Sequence, residues 1–240
     1  MDFIEFVTSL APEGETVLFV QQKTKAWIPQ LPGAPRAEGK AWYVSSGSFI
    51  LDRMTDGLSA STSNCTHVTF IAVDDVGTKS KVPLLPPTWI IETSPGNYQW
   101  AWVLSEQVPV AVAGAAERAF AEAGYTDGGA INPVRNWRIP GSVNIKPGRN
   151  RFAAVLTEFH PEREFTLEQI CAALGVTPAE ADTATARRVA LDDDGTDDVL
   201  AWLSEAGHLT AQGNAAGWWG VVCPNSDHHT TGEIEGRYMP

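Results

Sequence analysis

Cysteine, charged residues and long apolar segments are all scarce in this chain of 240 residues. Its three cysteines are odd in number and widely spaced, which argues against a disulfide framework and favours a reducing compartment. The longest apolar runs, such as residues 108–116, are far shorter than the roughly 18 residues that a membrane span requires. Asp2 and Glu5 stand where a secretory signal would carry basic residues. We therefore expect a cytoplasmic protein that neither crosses a membrane nor is exported.

The chain also lacks the motifs of several large enzyme classes. It has no GxxxxGK[ST] phosphate loop, no HExxH, no GxSxG and no GxGxxG, so this chain by itself is not a P-loop ATPase. Cys223, His228 and His229 could contribute to a zinc site, but no CxxC pair completes a structural one. Zinc binding therefore stays the less favoured interpretation of this segment.

Basic residues are outnumbered, with 17 Lys and Arg against 29 Asp and Glu. Residues 160–240 contain 14 acidic and 4 basic residues, so they carry ten of the twelve excess negative charges. Residues 130–152, in contrast, contain five basic residues and no acidic one. Such a local patch can attract a polyanion despite the net charge of the whole chain. The five are Arg135, Arg138, Lys146, Arg149 and Arg151.

The hydrophobic pattern predicts a mixed α and β fold for the first two thirds of the chain. A short helix is expected at residues 3–10, and strands at 16–21, 41–48, 67–74 and 152–159. The strand at 67–74 is apolar on both faces, which indicates that both faces are covered. Residues 88–93 and 98–104 flank a Ser-Pro-Gly-Asn turn and predict a β-hairpin. Pro109 then begins an alanine-rich helix that ends at Gly124.

Short capped helices are expected after residue 160, which places a domain boundary near residues 158–164. Capping-box spacing pairs Thr166 with Gln169 and Thr177 with Glu180. A third helix is predicted at about 197–206, followed by a β-ribbon of residues 209–212 and 218–222. The fold class is therefore α+β, with a domain of residues 1–158 and a small, acidic, mainly helical domain of residues 164–240.

Two adjacent carboxylates, Asp74 and Asp75, end the most apolar strand. Carboxylates in such a position can hold Mg²⁺ or Mn²⁺, which prefer hard oxygen ligands. Because neighbouring side chains of a strand point to opposite faces, joint ligation requires the strand to end or bulge at Asp75. A polar exit from the strand into a turn is the alternative interpretation.

The hairpin turn places small and polar groups between two strands, and Ser94, Gly96, Asn97 and Gln99 are its candidate ligand-binding residues. Glycine lets a backbone approach a ligand closely, and the polar side chains can bind phosphate or sugar oxygens. An ordinary hairpin turn explains the same residues.

A third acid, Asp127, precedes a segment rich in Arg, Lys, Asn and Gly, with Arg138, Asn144 and Lys146 as candidate binding residues. An acid beside such a segment suits a metal-bound polyphosphate or a nucleic-acid backbone. A solvated loop is the alternative.

Taken together and in this order, the three segments resemble the archaeo-eukaryotic primase superfamily, and in particular the RepB-type DNA primases of plasmids and phages. In that family an apolar strand ends in paired aspartates, here Asp74 and Asp75, and a turn of the TSPGNYQ kind follows, here residues 93–99. A third aspartate, here Asp127, then precedes an R-[LI]-P-G-x-x-N-x-K segment, here residues 138–146.

The resemblance covers residues 65–152 and includes two departures from the common pattern. Many members of the superfamily have D-x-D where this chain has adjacent aspartates, and a histidine where it has Gln99. A weaker resemblance of residues 218–224 to the segment after phage primase domains implies that the chain is the front of a longer primase-helicase. A phage-encoded protein of this kind would act in the cytoplasm of the host cell.

The resemblance implies a primase core with an RRM-like mixed or antiparallel sheet, and a nucleotidyltransferase that makes primers on single-stranded DNA from nucleoside triphosphates. It implies that Asp74, Asp75 and Asp127 hold two Mg²⁺ or Mn²⁺ ions. It further implies that a second set of residues binds nucleotide or template, and that a helicase domain or protein is a partner. This second set is Ser94, Gly96, Asn97, Gln99, Arg138, Asn144 and Lys146.

Two other functions stay open from the sequence alone. A module that binds single-stranded DNA without catalysis accounts for the basic segment and the tryptophans, but gives no reason for three acids beside a phosphate site. A metal-dependent nuclease would use the same acids with water as the nucleophile.

Overall fold

A computed structural model describes residues 1–179 apart from 24–25, 55–56, 63 and 129–130. Beyond residue 179 it describes residues 202–203, 205, 208–211, 219–222 and 235–238. The chain divides into two units, Met1–Asp182 and Thr183–Pro240. No helix among these described residues is long and apolar enough to cross a membrane.

The first unit is built mainly of strands, with helices at its start, middle and end. Its helices are α1 (Phe3–Ser9), α2 (Val110–Glu122) and α3 (Leu167–Leu174), with a 3₁₀ turn at Leu51–Arg53. Its strands are β1 (Phe19–Lys23), β2 (Ala26–Gln30), β3 (Ala41–Ser45), β4 (Gly47–Phe49), β5 (Cys65–Val76), β6 (Trp89–Ser94), β7 (Asn97–Pro109), β8 (Asn136–Arg138), β9 (Val155–Phe159) and β10 (Glu164–Phe165).

The strands form two sheets that are antiparallel except at one edge. The first sheet has four strands in the order β2-β1-β3-β8. The second has six strands, with the order β4-β5-β7-β6-β9 and with β10 pairing parallel to β7. The predicted strand at 41–48 is thus two strands in different sheets, because the chain changes sheets at Ser46.

Strand β5 lies between two hydrophobic cores, as its double-sided apolar pattern predicts. Phe70 and Ala72 pack into a core shared with α1 and the four-stranded sheet. Ile71 and Val73 point the other way, into a core shared with α2 and α3. Alternate side chains of one strand therefore join the two halves of the unit.

The predicted hairpin and the helix after it are both confirmed. Strands β6 and β7 pair across the Ser-Pro-Gly-Asn turn, in which Gly96 has a φ of 73°. Helix α2 follows Pro109 at its N-cap and stops before Gly124, whose φ is 82°. Pro109 ends the preceding strand just before the first helical residue, and Gly124 provides the left-handed residue after the last turn.

Helix α3 has the predicted capping box but belongs to the first unit, which continues to Asp182 instead of ending near residue 158. The Thr166 Oγ1 accepts from the Gln169 backbone N–H at 3.1 Å, and the Thr166 N–H donates to Gln169 Oε1 at 2.9 Å. The apolar side of α3, with Leu167 and Ile170, packs into the core that α2 and β5 share. Burial of this side, together with the pairing of β10 with β7, moves the boundary past α3.

The second unit contains the antiparallel sheet β11 (Leu209–Ala211), β12 (Trp219–Val222) and β13 (Glu235–Tyr238), in that order. The predicted β-ribbon is thus confirmed and has a third strand. Residues 202, 203 and 205 are helical, within the predicted helix 197–206. The predicted cap partner Glu180 and the zinc candidates Cys223, His228 and His229 lie outside the described residues.

Replacing Ile170 by alanine tests the assignment of α3 to the first unit. The Ile170 side chain is fully buried, so Ile170→Ala should lower the free energy of unfolding by about 2–5 kcal/mol in urea titrations. The matched control is Glu168→Ala, an exposed position on the same helix, which should change this free energy by less than about 0.5 kcal/mol. Equal effects of the two substitutions would contradict the packing of α3 into this core.

Candidate active site

The pleat of β5 is interrupted where its two aspartates stand. The register between β5 and β7 shifts between Val73 and Val76. Asp75 has a φ of 59°, in the left-handed region that residues other than glycine rarely adopt, and its N–H donates to Asp74 Oδ1 at 2.9 Å. This bulge breaks the strand alternation, as joint ligation of one ion by Asp74 and Asp75 requires. Both carboxylates therefore line one cavity.

This cavity has a volume of about 390 Å³, and all of its lining residues lie in the first unit. It brings together the three aspartates and every candidate binding residue except Gly96. Those binding residues are Ser94, Asn97, Gln99, Arg138, Asn144 and Lys146. The Gly96 N–H donates to Glu92 Oε1 at 2.8 Å, so Gly96 shapes the turn behind the cavity.

Asp74 is paired with a cation inside the cavity. Its Oδ2 accepts from Arg135 Nη2 at 3.2 Å, and its side chain is 15% exposed. Burial raises the pKa of Asp74, and the nearby charges of Asp75 and Asp127 raise it further. The Asp75 N–H and Arg135 lower this pKa without reversing the shift. Burial is the largest of these effects, so Asp74 holds its proton more readily than a free aspartate does.

Asp75 is held by two neighbours. Lys79 Nζ lies 2.8 Å from its Oδ2, and Asn97 Nδ2 donates to its Oδ1 at 3.0 Å. Burial raises the pKa of Asp75, but the hydrogen bonds from Lys79 and Asn97 outweigh it, so this pKa lies below its ordinary value. Asp75 is thus ionised and fixed in orientation.

The three aspartates have the donor chemistry of a divalent-cation site but are not assembled as one. The Oδ1 of Asp127 is buried and has no hydrogen-bond partner among the described residues. Carboxylate oxygens are the hard ligands that Mg²⁺ and Mn²⁺ prefer. Within the described part of the chain, however, no three His, Cys, Asp or Glu side chains stand close enough together to ligate one ion. Arg135 and Lys79 instead pair with Asp74 and Asp75, the carboxylates that a metal ion would bind.

Three of the predicted binding residues use their polar groups to hold the cavity wall together. Arg138 is 5% exposed, and its guanidinium donates to Tyr43 Oη at 2.7 Å, Ser142 Oγ at 3.2 Å and Val143 O at 3.0 Å. Gln99 Oε1 accepts from the Arg138 N–H, and Asn144 Nδ2 donates to Thr93 O. The R-I-P-G-S-V-N-I-K segment is therefore braced against β3, β6 and β7.

Several cavity residues were missing from the site predicted from the sequence. Lys79 lies four residues after Asp75, and this spacing in a turn is a signal that could have identified it. Arg135 was predicted only as part of the basic patch, because its pairing with Asp74 depends on tertiary structure. Trp27 and Tyr43 lie on strands before the matched segments, and no sequence motif marks them.

One acidic residue of helix α2, Glu117, lies inside the protein. Glu117 is 2% exposed, and the Asn132 backbone N–H and the charges of Arg135 and Arg118 favour its ionised form less than burial disfavours it. Its Oε2 has no partner among the described residues. Burial raises the pKa of Glu117 from its ordinary value of 4.5 to about 8. Glu117 is thus a buried, neutral carboxyl on α2.

The sequence profile of the RepB DNA-primase N-terminal domain matches residues 50–159, which include all three aspartates and the braced segment. Over these residues, a little under half of the chain, the sequence is similar to the RepB-type primases. No curated protein sequence matches the chain at a significant level.

Solved structures share the fold of this primase domain. The AEP domain of the primase-polymerase from cyanophage S-2L has a TM-score of 0.54 and 14% identity, over 71% of this chain and 96% of that domain. The catalytic domain of primase RepB′, solved in complex with initiator DNA, has a TM-score of 0.50 and 13% identity, over 77% of this chain and 96% of its own. At these identities the likeness concerns the fold, and it confirms the predicted α+β primase core.

The raised pKa of Glu117 predicts a pH dependence of stability. Between pH 4.5 and about 8 the unfolded chain ionises Glu117 while the folded domain keeps it protonated. The stabilisation from the neutral form is therefore complete below pH 4.5 and is lost as pH rises, by at most about 1.4 kcal/mol per pH unit. Glu117→Gln should remove this decline. The free energy of unfolding of the variant, relative to that of the wild type, should therefore rise between pH 5 and pH 8 in urea titrations.

The control is Glu122→Gln, an exposed position on the same helix, which should follow the wild-type pH curve. Parallel curves for the wild type and Glu117→Gln would show that Glu117 is ionised in the folded protein.

Proposed function

We propose that this protein is a template-directed nucleotidyltransferase, a DNA primase or primase-polymerase that acts in phage or plasmid replication. The observation that carries the proposal is the convergence of Asp74, Asp75 and Asp127 on one cavity of a RepB-type primase domain, with cationic side chains beside them. The solved RepB′ relative is in complex with initiator DNA, which supports DNA binding, and single-stranded DNA is the template that we propose.

The chemistry of the acidic end supports two Mg²⁺ or Mn²⁺ ions held by Asp74, Asp75 and Asp127. The unpartnered Oδ1 of Asp127 and the raised pKa of Asp74 are both features that a bound cation would relieve. When bound, such ions activate a 3′-hydroxyl and neutralise the leaving pyrophosphate during in-line displacement at the α-phosphate.

Arg135 and Lys79 act first as counter-ions of the acids and then as ligands of the triphosphate. Each lies against a carboxylate, at 3.2 Å and 2.8 Å, and so keeps the acidic end folded without a ligand. In the loaded site both turn to phosphate oxygens, with the guanidinium as a two-pronged donor and the ammonium as a point charge. The side chain of Lys79 is 72% exposed, which gives it the freedom for this change of partner.

Lys146 and Arg149 line the cavity beyond these pairs and supply positive charge for template or triphosphate. Lys146 and Arg149 are both exposed, whereas Arg138 is buried and hydrogen-bonded within the cavity wall. We assign Arg138, Gln99 and Asn144 to positioning, and Lys146 and Arg149 to phosphate contacts.

A primer-synthesis assay with labelled nucleotides on single-stranded DNA tests this function. Extension supports the proposal, cleavage of the DNA would indicate the nuclease, and binding with neither reaction would indicate a non-catalytic module.

Removing any of the three carboxylates should abolish primer synthesis. Asp74→Ala, Asp75→Ala and Asp127→Ala should each reduce extension to background, because each removes a ligand of the reacting centre. The thermal midpoints of Asp74→Ala and Asp127→Ala should stay near that of the wild type, because removing one charge relieves the repulsion among the acids. Asp75→Ala also loses the hydrogen bonds from Lys79 and Asn97, so its thermal midpoint should fall modestly. Asp52→Ala, at an exposed position outside the cavity, is the control with the same change of charge.

If one of these three variants retains full activity, the replaced aspartate is not part of the active site. A sharp fall of the thermal midpoint in all three variants would make the aspartates structural.

The cations of the cavity should determine the salt dependence of DNA binding. The double substitution of Lys146 and Arg149 by alanine should weaken binding to a single-stranded oligonucleotide. It should also flatten the slope of log affinity against log salt by about 0.7 for each phosphate that the protein no longer neutralises. Replacing Arg187 and Arg188 of the second unit by alanine changes the net charge equally and should leave the slope closer to that of the wild type. Equal slopes for the two double variants would place the DNA elsewhere.

A further inference from the structure

One face of the four-stranded sheet forms the side of the cavity away from the β5 bulge. Trp27 on β2 is opposite Gln22 on β1, and Tyr43 on β3 is opposite Arg138 on β8. Val20, two residues from Gln22, is opposite Tyr43, so the four residues share one face of the sheet. At about 4.8 Å per strand, the row from Trp27 to Arg138 spans about 14 Å.

The middle of this row is rigid. Tyr43 Oη donates to Gln22 Oε1 at 2.8 Å and accepts from Arg138 Nη2 at 2.7 Å. The Arg138 guanidinium carbon also lies 4.8 Å from the centre of the Tyr43 ring. A ring whose hydroxyl makes two hydrogen bonds and that lies under a guanidinium is a fixed support for a neighbouring side chain.

Trp27 rests on this support with half of its surface open. Its ring packs edge to face on Tyr43, with 5.0 Å between the ring centres and 61° between the planes. It is nevertheless 50% exposed and lines the cavity. Among the tryptophans whose side chains the structure describes, Trp202 of the second unit is the other one exposed to this extent, at 52%.

The residues that line the cavity indicate which kind of ligand group can stack on Trp27. Asp74 and Asp75 of β5 and the cations that pair with them line this cavity, and Trp27 adds an exposed indole from the four-stranded sheet. A phosphate is bound by the charged groups and gains nothing from the indole. A flat, partly polar ring joined to phosphates satisfies both, because stacking on an aromatic face does not depend on which base is present.

We propose that Trp27 is the stacking platform for a nucleobase whose phosphates lie against the charged groups of the cavity. The inference rests on the proposed function, since it names the subsite of the same nucleotide or DNA ligand. The base comes either from a nucleoside triphosphate or from the single strand of DNA. In both cases the interaction gives affinity without base specificity.

The test compares ligands with and without a base, by titration calorimetry on the full chain. Wild type, Trp27→Ala and Trp27→Phe are titrated with a nucleoside triphosphate, inorganic tripolyphosphate, a single-stranded oligonucleotide and the same oligonucleotide with abasic sites. Trp27→Ala should weaken the base-bearing ligand by about 5- to 100-fold, the usual effect of removing one stacked base, and leave the base-free ligands unchanged. Trp27→Phe should recover most of the affinity, and the control Trp202→Ala should have no effect.

Weaker binding of the triphosphate assigns the base to the nucleotide, and weaker binding of the oligonucleotide assigns it to DNA. An equal weakening for tripolyphosphate or abasic DNA, or unchanged affinity for both base-bearing ligands, overturns the inference while the proposed function stands. A wild type that binds none of the four ligands overturns the proposed function and the inference with it.

Discussion

The bulge at Asp74 and Asp75 is the constraint on which the rest of the cavity depends. Strand β5 is covered on both faces, and a regular pleat would send one carboxylate into each hydrophobic core. The left-handed conformation of Asp75 costs on the order of 1–3 kcal/mol, which the surrounding structure must offset. Asn97 and Lys79 bind its carboxylate, and the backbone N–H groups of residues 78–80 donate to its carbonyl oxygen. The hairpin turn, through Asn97, therefore helps to hold the Asp75 carboxylate in place.

Two arginines that lie three residues apart have different roles because their surroundings differ. Arg138 is buried, and burial lowers its pKa, so its donors must be satisfied by the protein itself. Tyr43, Ser142 and Val143 accept these hydrogen bonds, so the guanidinium links β3 to the segment after β8. Arg135, with 25% of its side chain exposed, instead pairs with Asp74. An ion pair at the mouth of a cavity can exchange partners at lower cost than a fully buried one.

The parts of the fold that the sequence predicts are those set by local rules. Pro109 and Gly124 mark the ends of α2, and the Ser-Pro-Gly-Asn turn marks the hairpin, because backbone geometry at these positions depends on the residue itself. The site aspartates were recognisable through their order along the chain. The partner of Asp74 and the exposure of Trp27 depend on strand register across two sheets, which no local pattern contains. Similarly, the apolar side of α3 indicates burial but not the surface against which it packs.

The uneven distribution of charge explains how an acidic protein can present a site for polyanions. Residues 1–159 contain 15 acidic and 13 basic residues, so they are nearly neutral, and residues 160–240 carry a net charge of −10. In the first part, the field at the cavity is set by a few side chains, since charges beyond about 8 Å are screened at physiological salt. Residues 160–240 as a whole repel phosphate, because their four basic residues are outnumbered by 14 acidic ones. We therefore expect nucleic acid to be attracted mainly by the cations of the cavity, among them Lys146 and Arg149, which lie in the first unit.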